Sequence, residues 1–111
     1  MRKTISTFAV IIFLIMGACG SPEQENANDY SLRGAHRGAS GDMSESIEGY
    51  SRAIELEPEN ASFYIARAVS YDMNGDYQLA VQDAERAIEL RPDLKEGLQA
   101  QLSYLREKAN R

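Results

Sequence analysis

The segment Arg52-Ala53-Ile54-Glu55-Leu56-Glu57-Pro58 returns 34 residues later as Arg86-Ala87-Ile88-Glu89-Leu90-Arg91-Pro92. At that offset Ala27 matches Ala61, Tyr30 matches Tyr64, Arg33 matches Arg67, and Gly41-Asp42 matches Gly75-Asp76. Eleven of 34 positions are therefore identical without a gap. A repeat this short cannot bury its apolar face alone, so its copies must stack on one another.

Each matched residue type has a physical reason to recur. Gly41 and Gly75 sit where one helix must end and the chain must turn, and glycine reaches positive φ at least cost. Asp42 and Asp76 follow as caps or turn formers for the next helix. Gly34, Ala68, Ser46, Ala53, Ala80 and Ala87 are small enough to let paired helix backbones approach. Tyr30, Tyr64 and Tyr71 fill the space so created, and Ile47, Ile54, Leu56, Val81, Ile88 and Leu90 supply apolar faces at helical spacing. Pro58 and Pro92 close each unit, because proline and its predecessor resist continuing a helix.

The pattern predicts helices near 29–40, 43–57, 61–74 and 77–91. A fifth is predicted to begin at Asp93, with Glu96 three residues on as its capping-box partner. Leu94, Leu98, Leu102 and Leu105 recur on one face of it, while Lys95, Glu96, Gln99, Arg106, Glu107 and Lys108 fill much of the rest. One greasy and one wet face suit the closing helix of a stacked array. The first unit departs from the pattern: Gly34, Gly38 and Gly41 fall in or after its first helix. Each interior glycine costs about 1 kcal/mol relative to alanine, so that helix is expected to be the least stable.

A 34-residue period built on these residues resembles the tetratricopeptide repeat, over 27–60 and 61–94 with a partial third unit behind. The resemblance implies an all-α fold: two antiparallel helix hairpins plus a C-terminal capping helix over 94–109, a short α-solenoid. It also implies a concave surface made by the first helix of each unit. The residues it places there are Asn28, Ser31, Ala35 and Gly38, then Ser62, Ile65, Val69, Asp72 and Met73, then Glu96, Gln99 and Ser103. The family places an aromatic or large apolar residue where this chain has Arg37. The lysines with which some members grip a partner's C-terminal carboxylate are absent from the matching positions.

The N-terminus reads differently. Arg2 and Lys3 precede an unbroken apolar run from Phe8 to Met16, and the small residues Gly17 and Ala18 precede the only cysteine, in the order of a secretory signal peptide. The run is short of the roughly 20 apolar residues needed to span a bilayer as a helix. Met16-Gly17-Ala18-Cys19 resembles the lipobox of bacterial lipoproteins, with Met16 where leucine is usual. That resemblance implies removal of residues 1–18 and lipidation of Cys19. Gly20 after the cysteine implies a place on the outer membrane, facing the periplasm. Residues 19–28, rich in Ser, Pro, Glu, Gln and Asn, read as a lipidated N-terminus and flexible tether to a domain over 29–111.

Removing residues 1–18 takes away Arg2 and Lys3 and no acidic side chain, leaving ten basic residues against 17 acidic ones, net −7. Such a surface repels nucleic acid and anionic headgroups. The single histidine, His36, has no cysteine beside it in the domain and reads as a surface residue. Glu55, Glu57, Glu89 and Asp93 recur with the repeat and read as solvated helix faces. Gly38-Ala39-Ser40-Gly41-Asp42 lacks the lysine and the preceding strand of a phosphate loop and reads as a turn. No cofactor, metal or catalytic role is expected. The expected function is that of an adaptor, binding an envelope protein in the concave surface and the membrane through its lipid. The alternative is a homo-oligomer assembled through the repeat edges.

Overall fold

The structure is a computed structural model that describes residues 24–111. The proposed signal segment, Cys19 and the first part of the tether lie outside the described residues.

Five α-helices follow one another: α1 (Ala27–Ala39), α2 (Met43–Leu56), α3 (Ala61–Asn74), α4 (Tyr77–Leu90) and, after a 3-10 turn at Pro92–Leu94, α5 (Lys95–Ala109). There is no strand among the described residues. Each helix packs on its successor, and α1 also touches α3. This is the expected all-α arrangement of two antiparallel hairpins and a closing helix, with the units' first helices side by side.

The turns form as their residues dictate. Gly41 and Gly75 adopt φ of 87° and 85°, and no non-glycine residue among those described has positive φ. Asp42 caps α2 by accepting from the Glu45 N–H at 3.1 Å. Asp76 stands at the same place before α4 but makes no cap bond; its carboxylate accepts from Asn74 Nδ2 at 2.6 Å instead.

Two boundaries differ from the sequence reading. The first helix starts at Ala27, two residues earlier, because Asn26 and Asp29 form a capping box: Asn26 Oδ1 accepts from the Asp29 N–H, and Asp29 Oδ2 from the Asn26 N–H, both at 3.1 Å. Asp93 does not cap the fifth helix. Pro92 has the φ that suits a first helical position, so winding begins there and Asp93 lies inside the 3-10 turn. Its carboxylate pairs with Arg91 at 2.7 Å, and α5 begins after Leu94 with no side-chain cap.

The seam between helices is built from small residues. Ala53, Ala80 and Ala87 are fully buried, and Ala68 and Ala84 nearly so. The closest approach lies in the first hairpin: a Cβ on Gly49 would stand 2.8 Å from Gly34 Cα, and one on Gly34 would stand 3.0 Å from the Ser46 carbonyl oxygen. Glycine at 34 thus permits backbone contact between α1 and α2, and α1 continues as helix through both Gly34 and Gly38. Phe63 joins the units by packing against Ala27 and Ala53, and the buried hydroxyls of Ser46 and Ser70 meet at 2.8 Å.

Candidate functional site

The second unit is locked by a residue the repeat alone does not explain. From α3, Arg67 Nε donates to Asp83 Oδ2 at 2.7 Å and its Nη2 to Oδ1 at 2.8 Å, while Nη1 donates to Ser51 Oγ at 3.1 Å. One guanidinium therefore ties α2, α3 and α4 together. Its carbon lies 5.8 and 5.6 Å from the ring centres of Tyr64 and Tyr71. The Asp83 carboxylate beside it raises the Arg67 pKa further, so this cation is permanent. Arg33, the counterpart in α1, has no such partner, because Gly49 stands at the position of Asp83, and it pairs with exposed Glu25 instead. Hydrogen bonds from Tyr30 first, and from Arg33 second, hold the Glu25 carboxyl below its ordinary value.

This lock fixes the orientation of α3 and with it the face opposite the seam. On α3, Ser62 is exposed, Val69 is 42% exposed and Met73 65% exposed. Asp72 is half-buried with no ion-pair partner among the described residues. Ile65 is also half-buried, because it packs against Ala61, Tyr64 and Ala87 as much as it faces outward. On α1, alongside, Asn28 and Ala35 are exposed and Ser31 is half-buried. These α1 residues are all short, so the apolar side chains of Val69 and Met73 stand beside a low, uncharged strip.

The residues expected from the closing helix are not part of that strip. Gln99 lines a separate cleft of about 380 Å³ with Lys95, Leu102, Ser103 and Arg106, against Glu85, Ile88 and Glu89 of α4. Glu96 is exposed on the same side of α5, one turn before. The cause is the leucine face. Leu102 and Leu105 are buried and Leu98 half-buried, whereas Gly97 and Tyr104, the counterparts of buried Phe63 and Ser70, are exposed. Compared with α3, α5 is turned about its own axis so that its leucines enter the core. Gln99 is thereby carried to the α4 flank, and Gln101, Tyr104 and Lys108 take the α3 flank, with the Lys108 ammonium 5.7 Å from the Tyr104 ring centre. Reading the packing face from the leucines, rather than carrying the repeat register forward, would have found Tyr104.

The outer side of α1 also departs from the repeat. Asp29 and His36 stand where α3 has buried Phe63 and Ser70, Arg33 is exposed where Arg67 is half-buried, and Leu32 beside them is 68% exposed. Among the described residues no group of His, Cys, Asp and Glu is arranged to hold a metal ion, and no helix is long and apolar enough to cross a membrane.

Residues 50–82 match the tetratricopeptide repeat. The match runs from the middle of α2 through α3 into α4, so it spans the junction of the two 34-residue units and covers Arg67 together with Ala53, Ala68 and Ala80 of the small-residue seam. It supports reading the chain as a tetratricopeptide repeat protein. No curated protein matches the chain. Tetratricopeptide repeats generally mediate contacts between proteins and are generally not catalytic, and the fold seen here is of that kind.

Proposed function

We propose that this chain is a non-enzymatic adaptor of the bacterial cell envelope, held by lipid on Cys19 at the outer membrane's periplasmic side, that binds a protein segment along the face shared by α1 and α3. The observation that carries the reading is the exposure of Val69 and Met73, one helical turn apart on α3, beside the short uncharged α1 residues Asn28, Ser31 and Ala35. An extended or helical segment with an apolar side suits such a strip. Two units give only a small interface, and fixing a weak binder at a membrane beside its partner raises their effective concentration.

The test is capture from envelope extracts with the lipidated protein and with a Val69→Asp, Met73→Asp variant. Both residues are exposed, so the charges should leave the fold intact and remove the captured partner. Ile65 is unsuited to this test, because a carboxylate there would also disturb its core contacts. The homo-oligomer reading draws less support: the outer edge of α1 carries Asp29, Arg33 and His36, which do not suit stacking on another copy. A solution mass equal to two or more chains at high concentration would revive it.

A further inference from the structure

The apolar face of α3 ends in unpaired carboxylates on both sides, which selects the kind of segment it can hold. We infer that the segment bound on the α1–α3 face belongs to a basic partner: apolar side chains cover Val69 and Met73, a lysine or arginine at one end meets Asp72, and another at the opposite end meets Glu57 and Glu59. This rests on the reading of that face as a binding surface and names the chemistry of its partner.

Three observations carry it. The first is which charges remain unpaired. All eight arginines among the described residues stand in ion pairs, and Glu57, Glu59 and Asp72 belong to none of them. The two lysines lie elsewhere: Lys95 lines the cleft between α4 and α5, and Lys108 stands over the Tyr104 ring beside the Gly75 turn. The second is position. Glu57 lines one hollow with Asn28 and Leu56 and another with Glu59 and Ser62, where α1 and α3 begin; the arginine of that second hollow, Arg91, is held by Asp93. Asp72 follows Ser62 by ten residues on α3, or about 15 Å of helix. Half-buried Ile65 and exposed Val69 lie between these ends, and Met73 beside Asp72. The third is burial. Because Asp72 is half-buried, a cation that reaches it is attracted more strongly than it would be by a fully hydrated carboxylate. An acidic segment would bring like charge to both ends and be rejected. The described residues of a second copy hold their arginines in the same pairs, so a different, basic protein is the better fit.

The test titrates the isotope-enriched full-length protein with a helical peptide of about 12 residues, in which two lysines stand three turns apart with two leucines between them on the same face. The expected result is movement of the amide signals of Ser31, Val69, Asp72 and Met73, with those of Arg52 and Arg86 in α2 and α4 unmoved. A peptide with glutamate in place of lysine should lose this binding, and so should one with serine in place of leucine, because charge alone does not hold it. Asp72→Asn should weaken the lysine peptide about threefold to fivefold while circular dichroism shows unchanged helix. Equal binding of the lysine and glutamate peptides, undiminished binding to Asp72→Asn, or signal changes spread over every acidic surface would each overturn the inference. If the lysine peptide does not bind but Val69→Asp with Met73→Asp still loses its captured partner, the binding face stands and only the basic class of partner falls. If that variant keeps its partner, the face falls as well.

Discussion

Arg67 and Asp83 form a two-pronged ion pair across α3 and α4 in which the acid is 7% and the base 19% exposed. Removing one partner of such a pair leaves an uncompensated charge in a site that water barely reaches. Asp83→Ala should therefore cost about 3–5 kcal/mol of stability, measured by urea denaturation. Replacing both residues together, Arg67→Met with Asp83→Leu, should recover most of the loss. A single variant as stable as the parent would show that the pair does not tie the helices.

The two glycines Gly49 and Gly97 should respond oppositely to alanine. At Gly49 a methyl meets the Gly34 backbone at 2.8 Å, whereas at Gly97 nothing lies within 4 Å. Gly49→Ala must separate α1 from α2 and should cost about 1–3 kcal/mol, outweighing its gain in helix propensity. Gly97→Ala gains propensity alone and should stabilise by up to about 1 kcal/mol. Thermal or urea midpoints of the two variants check the difference in sign.

Much of this architecture could be read from the repeated residues. Gly41, Gly75, Asp42, Pro58 and Pro92 each act through local backbone chemistry, so sequence marks them directly. The parts that could not be read depend on neighbours in space. Asp83 is hidden because its counterpart is Gly49, and comparing the two units makes the position look unconstrained. Glu96 and Gln99 were expected beside the α1–α3 face because the 34-residue register carries them there, but α5 is turned so that Leu102 and Leu105 are buried, Leu105 against Ala68 and Ala80.

Capping residues give a third prediction. Asn26 closes a reciprocal capping box, so Asn26→Ala should cost about 1 kcal/mol. Asp93 lies inside its turn and pairs only with exposed Arg91, so Asp93→Ala should change stability by less than about 0.5 kcal/mol. Equal costs in urea denaturation would mean that Asp93 caps α5 after all.

The N-terminal turn should loosen in acid. The Glu25 carboxyl is held below the ordinary 4.5 by hydrogen bonds from Tyr30 and then Arg33. A carboxyl with a lowered folded-state pKa contributes stability that is present above its unfolded value and lost as pH falls through the folded one. Acidification below about 4.5 should therefore shift the amide signals of Glu25, Tyr30 and Arg33 together. Tyr30→Phe should move the Glu25 midpoint back up, and an unchanged midpoint in that variant would remove the tyrosine from the cluster.

The proposed function requires that binding reside on α1 and α3 and not on the flank of α5. Capture from an extract of the producing cells with three full-length proteins separates the two: the parent, Val69→Asp with Met73→Asp, and Glu96→Ala with Gln99→Ala. The parent and the α5 variant should retain the same partner, and the α3 variant should lose it with its helix content unchanged. Retention by the α3 variant, or loss by the α5 variant alone, would contradict it.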